Sequence, residues 1–161
     1  MVESLASRGL DEVDRRILEV IQKEGNLSNV EIARKINLSP PATHARIKRL
    51  EKEGFINEYV ALLNQEKLGY DLLCFIFVKK SAHQTKQLEP FESAIRNMPE
   101  VLECHHITGE HDYLLKVVIK NTEDLKNFIR NKISAHENIS GIYTSLSYEE
   151  VKSTTALPIP N

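Results

Sequence analysis

Six basic side chains stand between residues 34 and 52 (Arg34, Lys35, Arg46, Lys48, Arg49 and Lys52), against one acid, Glu51. Guanidinium and ammonium groups at this density attract a polyanion, and the chemistry they suit is phosphate contact rather than bond making. A solvated helix face is the plainer reading of the same charges. A second set of reactive types, Cys104, His105, His106 and His111, gathers around Gly109-Glu110-His111-Asp112. Cys104 and His106 are two apart and share a face of a strand, yet no familiar zinc spacing accompanies them. Ordinary strand histidines are therefore expected, with no metal and no cofactor. The sequence contains no nucleophile–base pair and no phosphate loop, so no enzymatic activity is expected.

The elements that must carry the basic residues are helical. "LDEVDRRILEVIQKEG" places Val13, Ile17, Leu18 and Ile21 at helical spacing, with acids in the first turn and Gly25 past the end. In "NLSNVEIARKIN", Ser28 and Glu31 have the spacing of a capping box, and Leu27 and Ile32 that of a hydrophobic staple. A tight turn at Asn37 and Leu38 leads to "SPPATHARIKRLEK". There Ser39 is the N-cap, and Pro40 and Pro41 occupy positions whose N–H groups would have no helical partner anyway. Thr43, Ile47 and Leu50 share one sector of this helix. The opposite side carries Pro41, Ala42, Ala45, Lys48, Arg49 and Lys52, with His44 and Arg46 on the flanks. Three helices, a short turn before the third and a basic outer face describe a helix-turn-helix; an ordinary three-helix bundle is the alternative.

The candidate DNA-binding residues are Arg34, Lys35, Ser39, Pro41, Ala42, His44, Ala45, Arg46, Lys48 and Arg49. Arg49 is the one expected to reach a base edge, since Arg pairs bidentately with guanine. Arg46 is assigned equally to phosphate contact and to pairing with a nearby acid. Pro41, Ala42 and Ala45 offer no side-chain hydrogen bond. Direct readout is therefore expected to be loose, with specificity drawn from A·T-rich flexibility.

After Gly54, "FINEYVALLNQEKLGY" suggests a linking strand and a turn. From Leu72 the order is strand "LLCFIFVKK", helix "LEPFESAIRNM", strands "VLECHHIT" and "YLLKVVIK", helix "TEDLKNFIRNKI" capped by Thr122, and strand "ISGIYTSLSYEEV". That order is the split βαβ of a ferredoxin-like domain. Its two helices cover one sheet face, while "LLCFIFV" and "YLLKVVI" are too apolar for strands with a wetted face. A second copy of the sheet is the simplest cover, so an oligomer with a dimer as its minimum is expected. The fold class is thus α+β: an N-terminal three-helix helix-turn-helix domain and a C-terminal ferredoxin-like βαββαβ domain. The expected boundaries are a flexible arm over residues 1–9, the DNA-binding domain over 10–55, a linking strand and hinge over 56–70, the ferredoxin-like oligomerisation domain over 71–152, and an extended or loose tail over 153–161.

The 161 residues carry a net charge of −2 and 41% hydrophobic residues, ordinary for one or two small globular domains. No apolar run approaches the ~20 residues that span a bilayer, and the first residues lack the apolar core of a signal peptide. A cytoplasmic location without membrane contact is expected, with Cys74 and Cys104 as buried, reduced thiols rather than a disulfide.

The segments "LDEVDRRIL", "LSPPATHARIKRLEKEGFI" and "ITGEHDYLLKV" together resemble the Lrp/AsnC (feast/famine) family of prokaryotic transcription regulators, over about Leu10 to Lys152. The resemblance implies double-stranded DNA as partner, a small amino acid as effector, and dimers that assemble into octamers or larger rings around which DNA can wrap. The family's sensing turn, Gly-Asp-Tyr/Phe-Asp, corresponds to Gly109, Glu110, His111 and Asp112. His111 departs from the family's aromatic residue, which leaves the ligand open and would add pH sensitivity. By the same resemblance Cys74, His106 and Ser145, Leu146 and Ser147 line or flank the effector pocket. Asp112 would pair with a ligand ammonium, or serve the turn alone. Two alternatives share the architecture: a DNA-wrapping protein without an effector, and a histidine-dependent tetrapyrrole decarboxylase.

Overall fold

The computed structural model describes residues 9–81, 88–136 and 138–160. The arm expected over residues 1–9 lies outside them except for Gly9. The chain divides into two compact units, one running through Leu62 and taking up the segment from Lys152 onward, the other Leu63–Val151.

The first unit holds α1 (Glu12–Lys23), α2 (Asn29–Ile36) and α3 (Pro40–Lys52). Each helix buries the stripe that its periodicity marks: Ile17 and Ile21 from α1, Ile32 and Ile36 from α2, Ile47 and Leu50 from α3 form one core. Local chemistry fixes the helix starts. At α2 the Ser28 Oγ accepts from the Glu31 N–H (3.3 Å) and Glu31 Oε2 accepts from the Ser28 N–H (2.8 Å), the expected capping box. Asn37 ends α2 in the left-handed conformation (φ 59°) and turns the chain within two residues towards α3. Ser39 occupies the N-cap of α3 but its side chain makes no capping bond. With proline at the next two positions, two of the N–H groups at that end do not exist, and little is left to cap.

Thr43 faces this core fully buried, and its hydroxyl has no hydrogen-bond partner among the described residues. An unsatisfied buried hydroxyl costs about 1–3 kcal/mol, and valine has nearly the same shape. Thr43→Val is therefore expected to raise the melting temperature of this unit by several degrees. A fall in a thermal scan would show that the hydroxyl is bonded after all.

The second unit is a four-stranded antiparallel sheet in the order β2-β3-β1-β4, from β1 (Leu72–Lys80), β2 (Val101–His106), β3 (Tyr113–Ile119) and β4 (Ile139–Leu146). With α4 (Leu88–Arg96) and α5 (Thr122–Phe128) this is the ferredoxin-like order. The expected second helix continues through one π-helical turn, Ile129–Ile133. Its N-cap is Asn121, whose side chain accepts from the Asp124 N–H at 2.9 Å, and not Thr122, which begins the first turn. Cys74, Ile76 and Val78 of β1 and Leu115 and Val117 of β3 pack with Phe91, Ile95 and Phe128 of the helices. Leu73, Phe75 and Phe77 point to the other face, where their register partners are Val118, Lys116 and Leu114.

Two expectations are corrected. Residues 56–63 form no strand; Tyr59, Val60, Leu62 and Leu63 are exposed, and no described strand lies beside them to bond their backbone. Cys104 is exposed, because β2 is an edge strand that the helices leave largely uncovered, whereas Cys74 is buried; both thiols are free. The tail takes the extended form of the two expected, and it is docked on α1 through Gln22 to Leu157 and Arg15 to Pro160.

Candidate nucleic-acid interface and ligand-binding domain

Two of the DNA-binding candidates, Arg46 and Arg49, are held by an acid pair at the start of α1. Asp11 caps that helix: its Oδ1 accepts from the Asp14 N–H at 2.8 Å, and Asp14 Oδ2 accepts from the Asp11 N–H at 3.1 Å. The Asp14 side chain is entirely buried, and two cations from α3 reach it. Arg46 Nη1 donates to Asp14 Oδ1 at 2.8 Å and to Asp11 Oδ2 at 2.6 Å, while Arg49 Nη2 donates to Asp14 Oδ2. The Asp14 N–H and the Arg46 guanidinium hold the Asp11 carboxyl down at about 2. These charges clamp α3 against α1.

Arg46 thus takes the structural alternative. Arg49, expected at a base edge, has its guanidinium drawn to the buried Asp14, although the residue stays exposed. Lys35 pairs with Glu24 and Lys48 with Glu51, both at 2.7 Å and both at the surface. Such exposed pairs are worth under about 1 kcal/mol and open readily to a phosphate. Arg34 and Lys52 are exposed and have no ion pair among the described residues. The excess of five positive charges counted along the sequence is therefore largely offset in space by Asp11, Asp14 and Glu24, which α1 and its end bring to α2 and α3. Ser39, Pro41, His44 and Ala45 are exposed and Ala42 is half-buried; His44 Nδ1 is bonded to Asn29 Nδ2 at 2.8 Å. Asp11 and Asp14 are the residues that sequence reasoning missed. Their signal was present, an acid at the cap and another three residues on.

In the second unit the effector candidates divide between the two sheet faces. Cys74 is sealed in the core under the helices, and burial pushes its thiol pKa up. Its neighbour across β4 is Leu146, on the same face but exposed. His106 also lies on the helix side, its ring stacked on Tyr113 at 5.0 Å. Burial and the Glu92 carboxylate, which accepts from the phenol at 2.7 Å, raise the pKa of Tyr113. These two rings, Cys104 and the side chains of Glu92 and Arg96 line an open groove of about 630 Å³ between α4 and β2. It offers a cation, a carboxylate and an apolar wall.

Ser145 and His111 belong to the other face. Ser145 pairs with Phe75, and the His111 ring lies 5.4 Å from Phe77 and 6.5 Å from Tyr143. Asp112 ties the turn to β1: its N–H donates to Val78 O at 2.9 Å, and its Oδ2 accepts from the Lys80 N–H at 2.7 Å. Gly109 has φ 123°, a conformation that strains any side chain, and Glu110 is exposed. Ser147 follows the end of β4, its N–H donating to Leu73 O at 2.8 Å. One protomer therefore does not bring these nine residues to one point. Among the described residues no group of three His, Cys, Asp or Glu is placed to hold a metal.

Two family models cover this architecture. Residues 73–157 match the Lrp/AsnC ligand binding domain and residues 10–57 a winged helix-turn-helix DNA-binding domain. The chain belongs to the Lrp/AsnC family. Its helix-turn-helix and ferredoxin-like units make it a transcriptional regulator of the Lrp/AsnC type with a ligand-binding domain. The leucine-responsive regulatory protein of Escherichia coli is 35% identical over 161 residues, spanning 99% of this chain and 98% of that protein. The transcriptional regulator AzlB of Bacillus subtilis is 35% identical over 150 residues, 93% of this chain and 96% of AzlB. Among solved structures, the complex of transcriptional regulator NMB0573 from Neisseria meningitidis with L-Met superposes with a TM-score of 0.88 at 36% identity, over 92% of this chain and 96% of that one. Among the described residues no helix is long and apolar enough to cross a membrane.

Proposed function

We propose that this Lrp/AsnC protein acts in the cytoplasm as a non-enzymatic regulator whose grip on operator DNA responds to a small amino acid. The observation that carries this function is the solvent side of α3, where Pro41, Ala45, Lys48, Arg49 and Lys52 stay exposed while Thr43, Ile47 and Leu50 are buried. Arg34 on α2 adds a cation with no ion pair among the described residues to the same unit, and the acids of α1 fix the pitch at which α3 is presented. The apolar sheet face of the second unit supports a homodimer, with an octamer as the larger assembly.

An amino acid suits the ligand-binding domain for two reasons. The E. coli relative is named for its response to leucine, and the N. meningitidis neighbour was solved with L-Met. Both are apolar amino acids, which points to a zwitterion with an aliphatic side chain. Effector residues divided between two sheet faces fit a pocket completed by another subunit.

Lys48→Ala and Arg34→Ala are each expected to weaken operator binding several-fold. Each should also reduce the slope of log affinity against log salt by about one, the signature of a lost phosphate contact. Unchanged affinity and slope in both variants would remove this face from the DNA interface. Calorimetric titration with leucine, methionine and the other common amino acids tests the effector. Absence of heat across the whole panel would leave a DNA-wrapping protein without a switch.

A further inference from the structure

The segment after β4 leaves the ligand-binding unit at Val151 and joins the DNA-binding unit from Lys152 onward. It lies along α1. Gln22 grips one residue of it from both sides: Gln22 Nε2 donates to Leu157 O at 2.9 Å, and Gln22 Oε1 accepts from the Leu157 N–H at 2.9 Å. Seven residues back along the helix, Arg15 Nε donates to Pro160 O at 3.0 Å.

The two spacings match. Arg15 and Gln22 lie two turns apart on one helix face, about 10.5 Å along the axis. Leu157 and Pro160 are three residues apart, about 9.3 Å in a polyproline-type extended chain. Pro158 and Pro160 fix their own φ and push Leu157 and Ile159 into the extended region, so the segment holds this shape before it docks. A period of three then puts Ala156 and Ile159 on one side, and these are the half-buried residues while Leu157, Pro158 and Pro160 stay exposed. Arg15 adjoins Asp14, the acid that clamps α3.

We infer that Lys152–Pro160 is a strap whose receptor is the Arg15–Gln22 face of α1, tying the DNA-binding unit to the ligand-binding unit at a second point besides the 56–71 linker. The strap begins five residues after Ser147, the last of the candidate effector residues, so a movement at the end of β4 has a short covalent route to the helix that holds α3. Three hydrogen bonds would be weak between separate molecules. Tethering supplies a high effective concentration and makes them sufficient. The inference depends on no particular ligand.

Hydrogen exchange of the full-length protein tests the docking. The Leu157 amide should exchange at least tenfold more slowly than in a free peptide of the same sequence, and Gln22→Ala should return it to the free rate while α2 and α3 keep their protection. Free-peptide exchange in the unaltered protein, or protection that survives Gln22→Ala, overturns the strap. The tie has its own readout in the backbone amide spectrum of the intact oligomer. Sharp resonances from the DNA-binding unit should appear when the chain is ended at Lys152 or carries Arg15→Ala with Gln22→Ala. Line widths unchanged by both alterations would show that the linker alone sets the motion of that unit.

Discussion

Asp14→Ala is expected to remove about 3 kcal/mol of the stability of the DNA-binding unit, a large part of what a domain of this size possesses. The side chain is fully buried and holds three donors at once: the Asp11 N–H, Arg46 and Arg49. Alanine leaves all three without that acceptor and abolishes half of the capping box at the start of α1. The guanidiniums sit partly in solvent and regain some hydration, which keeps the loss below the upper end for a broken buried pair. Asp14→Asn keeps an oxygen for one donor but no charge, and should fall between alanine and the unaltered protein. Urea unfolding followed by helical circular dichroism gives both values. A loss below 1 kcal/mol for Asp14→Ala would show that Arg46 and Arg49 gain nothing from the acid.

The same cluster marks where sequence reasoning stops. The Ser28–Glu31 capping box was legible because both partners lie within one turn, and chain geometry leaves them little choice. The stripe of Thr43, Ile47 and Leu50 was legible for the same local reason, a 3.6-residue period. Which acid faces Arg46 and Arg49 is settled 32 and 35 residues away, by how α1 crosses α3, and no spacing within either helix encodes that. Counting charges along residues 34–52 therefore overstated the positive field of the interface.

In the ligand-binding unit the continuous apolar run of β1 showed a strand covered on both faces, but not which residues face the helices. Cys74 and Ser145 stand on opposite sides of one sheet because Cys74 pairs with Leu146, and Ser145 with Phe75. The apolar residues at 59–63 misled for a different reason. A strand is a relation between two backbones, and the run supplies only one of them.

Phe77→Glu is expected to separate the subunits of the proposed homodimer. In the sheet register Phe77 lies between Leu114 of β3 and Tyr143 of β4, its ring 5.9 Å from the tyrosine, with Leu73 and Phe75 extending a mainly apolar face, interrupted by Lys116, that no described helix covers. Burying such a face removes apolar surface at about 25 cal/mol per Å², and a two-fold axis makes every contact count twice. A carboxylate at the centre reverses that gain twice over, since taking a charge out of water costs several kcal/mol and the nearby Lys116 offsets only a part of it. Weakening of the dimer by at least about 100-fold follows from roughly 3 kcal/mol, read in sedimentation as dissociation at a protein concentration at least about 100-fold higher than in the unaltered protein. Operator affinity should fall with it, because one helix-turn-helix reaches only half of a two-fold site. The fold of each subunit should survive, as Phe77 points away from the core that Ile76 and Val78 enter. An unchanged sedimentation coefficient would mean that this face is covered by something other than a second copy of the sheet.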